Sequence, residues 1–308
     1  MIYPDDDDAV DDSGSPGLSA DFRAAVTAEL LERDYTVVEW EADGVHVQRS
    51  HDRGVQYLGL SNLYRRAQGV ERAAWPILIG EFIDHVTSIS NAPDLPRALD
   101  TLTAQLRPRL GPPFTRDLKV RPWSMPLPGT PLVISLVIDF PQAMAYVTEE
   151  MLHNSQASVE ELLDCALDNL RQDTPEDFLQ PVTENLDLLL GHTGDGYDAS
   201  RALLIEELLP QEAPAGLWLA MPSRDELYVW PVHPSGLQHL PHFKLFVQDN
   251  YHKHAYPISD DIYWLYQGHW HIFTIHFPKP DTVSISPPPE FVEILEDWAS
   301  SGELERED

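Results

Sequence analysis

Cysteine is almost missing from this chain of 308 residues, with Cys165 the only one. An intrachain disulfide and a cysteine-based zinc cluster are thereby excluded, in agreement with a reducing compartment. Basic residues are scarce as well. Twenty Lys and Arg, only four of them Lys, stand against 51 Asp and Glu, for a formal net charge of −31. Nucleic acid and anionic membrane are therefore not expected partners, since both require basic patches. Long hydrophobic runs are lacking too: the longest, about Pro131–Ile138, is far short of the roughly 20 residues that span a bilayer. The N-terminal MIYPDDDDAVDD is acidic where a secretory leader is basic and then apolar, so the expected compartment is the cytoplasm. There is no GxGxxG, no GxxxxGK[ST], no GxSxG elbow and no HExxH, so no cofactor is expected and no catalytic residue is assigned.

Hydrophobic residues at 43% and aromatics at 9% are enough to fold most of the chain. Residues 1–18 hold six Asp without a basic residue and read as a disordered acidic tail. An N-terminal α-β-β-β-α lobe is expected over 19–107. It comprises a helix capped by Ser19, a hairpin turning at Asp43-Gly44, a strand over 55–60 and a short helix capped by Ser61. A long helix follows over 72–90, with Trp75, Leu78, Ile79, Phe82, Ile83, Val86 and Ile89 at three-four spacing, then a further helix over 95–106. Seven prolines over 108–131 mark an extended Pro-rich connector between two lobes, with one strand near Leu118–Arg121.

The second lobe, 132–286, is expected to be α+β. Leu132–Phe140 reads as a central buried strand with Ala143–Val147 beside it, and Ser158-Val-Glu-Glu161 matches a capping box that opens a helix. Further strands are expected at Leu186–Leu190, Leu217–Met221 and Leu227–Val232, a helix capped by Asp198 over 199–209, and a hairpin turning at Gln267-Gly268. Residues 287–308 form an amphipathic helix, with Phe291, Ile294, Leu295 and Trp298 on one face, and an acidic end. The fold class is thus α+β, mixed or antiparallel sheets with flanking helices, in two lobes.

Chemistry concentrates in 184–232. The turn Gly194-Asp195-Gly196-Tyr197-Asp198 enters a helix carrying Arg201, and Arg224 with Asp225 sits between two apolar strands. Turn and cap roles account for these five residues individually. If they gather at one end of a sheet they form a binding edge. Eight of the thirteen His lie beyond residue 230, and His269 and His271 project from one face of a strand at a spacing suited to metal ligation.

GLSNLY (59–64), VIDFPQAMAYVTEE (137–150), LDCALDNL (163–170), GDGYDASRALL (194–204) and MPSRDELYV (221–229) resemble the YtpQ-like family of bacterial proteins, a domain of unknown function. The resemblance covers roughly residues 20–235 and implies a soluble cytoplasmic α/β protein without supplying a reaction. The expected function is non-catalytic binding of another protein or a small ligand. A metal-assisted hydrolase using the C-terminal His and Asp residues is one alternative. An acidic decoy or neutraliser of a basic protein is another. Oligomeric state is not readable from the sequence.

Overall fold

The computed structural model describes residues 18–41, 44–50, 55–90, 99–114, 122–140, 143–183, 186–209, 213–254, 256–279 and 282–302. The acidic tail up to residue 17, the strand expected at Leu118–Arg121 and the acidic end beyond Gly302 lie outside them. Among the described residues no helix is long and apolar enough to cross a membrane. The chain divides into two compact units, Met1–Pro93 and Asp94–Asp308.

In the first unit the Ser19 hydroxyl accepts the Phe22 amide at 3.4 Å and opens α1 (Ala20–Glu32). Phe22, Val26 and Leu30, four apart, make its buried stripe. The strands β1 (Tyr35–Trp40), β2 (Gly44–Arg49) and β3 (Val55–Gly59) pair in order as an antiparallel sheet. Ser61 does not cap α2 (Ser61–Gln68): Leu60 holds the cap position, and Ser61 is already helical. After a 3-10 turn at Arg72–Ala74 comes α3 (Trp75–Ser90). Trp75 donates its indole N–H to the Ala67 carbonyl at 2.8 Å and meets the Phe22 ring edge-on at 5.6 Å. This satisfies the one polar atom of a large side chain inside an apolar core.

The second unit opens differently from its expected helix over 95–106. Leu99–Thr101 and Thr103–Gln105 are short 3-10 turns, and Leu106 begins β4 (Leu106–Gly111). Pro108 explains the change, because it disfavours helical backbone at Arg107 and cannot donate within a helix. Leu106, Pro108 and Leu110 alternate inward with Arg107 and Arg109, the period of a strand. The Pro-rich stretch 108–131 is therefore more than a connector. It supplies most of β4 and all of β5 (Ser124–Pro126), and the boundary between compact units falls earlier, at Pro93. Both strands flank β6 (Val133–Phe140), which also pairs with β7 (Ala143–Tyr146), giving a four-stranded antiparallel sheet.

Thr148 caps α4 (Glu149–His153), and the Ser158–Glu161 capping box starts α5 (Val159–Asp173), whose Leu162, Ala166 and Leu170 are buried. Next are β8 (Leu179–Thr183), β9 (Leu186–Gly191), a 3-10 segment Ala199–Leu204 and α6 (Ile205–Leu208). The chain ends with β10 (Leu217–Ala220), β11 (Leu227–Pro231), α7 (Leu240–Lys253), β12 (Ile262–Tyr266), β13 (His269–Lys279), β14 (Thr282–Ser286) and α8 (Pro289–Ser301). Their strands form a seven-stranded antiparallel sheet of order β14-β13-β12-β10-β11-β9-β8.

Both faces of that sheet are covered. Trp218, Tyr228, Trp230, Trp264 and Phe273 pack against Phe243 of α7 and Phe291 of α8. On the other face Leu219, Val229 and Tyr263 pack against Ala199, Ala202 and Ile205, and against Leu110 and Ile134 of the smaller sheet. Central strands buried on both sides need apolar residues at every position, which is why β10 and β11 read as continuous runs. Register places the 221–226 loop and the Gln267-Gly268 hairpin tip at opposite ends: Leu217 lies opposite Leu265, and Ala220 opposite Ile262.

Candidate functional site

At the end of the sheet where β9 and β10 finish, the structure brings Asp195, Asp198, Arg201, Arg224 and Asp225 together. Arg201 is at the centre and fully buried. Its Nε donates to Thr174 Oγ1 at 2.9 Å, and Nη1 to Asp195 at 3.0 Å and Asp198 at 3.1 Å. Nη2 donates to Asp195 at 2.6 Å and to the Asp173 carbonyl at 3.4 Å. The guanidinium carbon lies 5.0 Å from the centre of the Phe178 ring. A cation removed from water is tolerated only when its donors are matched in this way.

Asp198 does not cap the following helix. Its own backbone is already helical (φ −57°, ψ −47°), and its carboxylate turns backward instead. There it accepts the Thr193 amide at 2.8 Å, the Thr193 hydroxyl at 2.7 Å and the Gly194 amide at 3.0 Å, besides Arg201. Gly194 and Gly196, at φ +77° and +85°, allow the 193–198 loop to fold back on itself; a side chain at either position would be strained. Burial raises the Asp195 carboxyl, but hydrogen bonds from Arg201 and the Tyr197 amide outweigh it and leave its pKa below the ordinary value. Arg201, Asp195 and Asp198 therefore lock the loop.

Arg224 and Asp225 sit on the neighbouring β10–β11 loop. The Ala199 amide donates to the Arg224 carbonyl at 3.1 Å, and His192 Nδ1 lies 2.6 Å from the Asp225 carbonyl, tying that loop to the clamp. Arg224 gives Nε to Asp225 at 3.2 Å, and its guanidinium carbon stands 3.4 Å from the centre of the Tyr256 ring. Its two terminal nitrogens have no partner among the described residues. Tyr256 reaches this place through the bridge between Ser223 and Pro257, a long-range pairing with no local sequence signal.

Two further titratable residues escaped sequence reading. Tyr197 donates its hydroxyl to Asp139, the acid at the end of the apolar run of β6. An acid closing such a run is a legible departure from pattern. Burial raises the Asp139 carboxyl above its ordinary pKa, and the Tyr197 hydrogen bond and Arg107 only partly offset this. A raised carboxyl costs folding stability as pH rises through the ordinary carboxylate range, because the unfolded chain ionises more readily. Asp139→Asn, which keeps an acceptor for Tyr197, should therefore raise the melting temperature at pH 7 and change it little near pH 3. Equal shifts at both pH values in thermal melts would contradict this assignment.

His269 and His271 do share a face of β13, opposite Tyr266 and Trp264. No third ligand joins them. Among the described residues no group of three His, Cys, Asp or Glu side chains is placed to hold a metal ion. The His271 ring lies 5.3 Å from that of Trp264, beside an aromatic cluster. Comparisons with protein-family models, curated proteins and solved structures find no match for this chain.

Proposed function

We propose that this is a non-catalytic binding protein of the cytoplasm, which holds a protein partner or small ligand by a carboxylate at Arg224. One observation carries the reading: the Arg224 guanidinium lies over the Tyr256 ring with only Nε engaged, which leaves its terminal nitrogens for an incoming acceptor. A planar fork already held in place accepts a carboxylate through two parallel hydrogen bonds with little ordering cost. The Arg201 clamp fixes the adjoining loop, so the surface is preorganised. The two turns concerned, 194–204 and 221–229, are also the most distinctive segments in the resemblance to the YtpQ-like family, which we retain as part of this proposal.

The test uses short peptides ending in a free carboxylate, compared by calorimetry with the same peptides amidated. The free acids should bind, and Arg224→Ala should weaken them at least about tenfold, since hydrogen bonds to charged groups contribute ~1.5–3 kcal/mol. Binding should strengthen with added salt, because screening reduces repulsion from a chain of charge −31. Equal affinity for amidated peptides would refute the role of Arg224.

A further inference from the structure

At the opposite end of the seven-stranded sheet, the β12–β13 hairpin tip helps enclose a cavity of about 610 Å³. The Leu127–Gly129 turn forms a second wall, and Glu290 in the first turn of α8 contributes a third side. The volume is within the range of roughly 300–1,000 Å³ typical of small-molecule sites.

Its walls are built rather than incidental. Tyr266 stacks on Trp264 with ring centres 4.8 Å apart and planes 11° from parallel, and Trp264 is anchored by its indole N–H on the Ala215 carbonyl at 2.9 Å. Trp270 meets the Tyr263 ring at 6.1 Å. Gly129, at φ +80°, packs so closely that a Cβ there would lie 1.7 Å from the Trp270 carbonyl oxygen, so this turn admits no side chain at that position. The tip itself turns through Gln267 and Gly268, both at positive φ.

Tyr266, Gln267, His269, His271 and Glu290 line it, and none of these side chains has a hydrogen-bond partner among the described residues. No Lys or Arg is among the lining residues. A carboxylate and imidazole acceptors beside the Tyr266 ring suit a positive charge, which gains both hydrogen bonds and attraction to the ring electrons. The net charge of −31 adds a field that draws cations toward the surface.

We infer that this cavity is a binding site for a small organic cation, an amine, amidine or guanidine, with Glu290 as its counter-ion and Tyr266 as its aromatic wall. The site is separate from the Arg224 edge, takes a ligand of opposite charge, and uses His269 and His271 as acceptors rather than as metal ligands.

The probes are agmatine and benzamidine as cations, with adipate and benzoate as matched anions, titrated calorimetrically into the full chain in 150 mM salt. That salt concentration suppresses attraction to the diffuse acidic surface. At least one cation should bind saturably with one-to-one stoichiometry, and neither anion should bind at this site. Glu290 is exposed, so Glu290→Gln should leave the melting temperature unchanged while weakening cation binding at least tenfold. Three results overturn the proposal: no saturable binding of either cation, cation binding that Glu290→Gln leaves unchanged, or anion binding that Glu290→Gln strengthens. Arg224→Ala should leave the cation affinity as it is, which separates failure here from failure of the carboxylate site.

Discussion

Arg201→Met is expected to destabilise the second unit by about 3–5 kcal/mol, the usual loss when one partner of a buried ion pair is removed. The substitution keeps the apolar stem beside Phe178 and removes every donor from the centre of the clamp. Asp198, fully buried, is then left with only the Thr193 and Gly194 hydrogen-bond donors. Those remaining hydrogen bonds place the loss nearer 3 than 5. For a unit of this size the melting temperature should fall on the order of 10 °C. Asp195→Asn, at a side chain that is itself 37% exposed, should cost distinctly less. If Arg201→Met loses less than about 1 kcal/mol in thermal or urea unfolding, the cluster is not a clamp. The loss should also be accompanied by faster proteolysis in 192–198, since this loop is what Arg201 holds.

Trp264→Ala should have a comparable effect, about 3–5 kcal/mol, from a different source. The side chain is fully buried and touches the rings of Tyr266, His271 and Phe291. Truncation leaves a void between β12 and α8 and removes the donor to the Ala215 carbonyl. Tyr266 also loses the ring that sets its plane. A loss of stability therefore predicts a loss of cation binding in the neighbouring cavity, whereas Trp218→Phe should leave the cavity intact. A measured loss below 2 kcal/mol would show that α8 collapses onto the space. Loose docking of the C-terminal helix would then replace the rigid packing described above.

How much of this was legible depended on whether a residue's signal was local. The Ser158–Glu161 capping box, the α3 stripe from Trp75 to Ile83 and the Gln267-Gly268 hairpin combine chemistry and spacing within a few residues, and each stands as read. The expected helix over 95–106 failed because the Leu-rich pattern fits two periods, and Pro108 decides between them through backbone geometry. Edge strands β8 and β14 were missed for another reason. A strand exposed along most of its length has no core face to impose alternation, as the outward residues of β14 show. In the site, Asp195, Asp198 and Arg201 were identifiable from one loop, but the direction of the Asp198 carboxylate was not. Helix capping and back-bonding use the same residue type at the same position, and the helical φ and ψ of Asp198 rule out the cap. Tyr256, the platform for Arg224, arrives through tertiary contact alone.

The exposed edge at β14 gives the acidity of the chain a physical role. Its sequence Thr282-Val-Ser-Ile-Ser286 bears no charge and no proline, and every residue is exposed at the end of the strand order. Such an edge is ordinarily blunted by a lysine or a bulge on the strand itself. Here the β13–β14 pairing carries a register shift between His276 and Lys279, and mutual repulsion between whole molecules of charge −31 adds a delocalised guard against one edge approaching another. Resistance to edge-to-edge association then belongs to the solution as much as to the fold. Screening or protonating the carboxylates lowers the barrier between molecules while every strand stays in register.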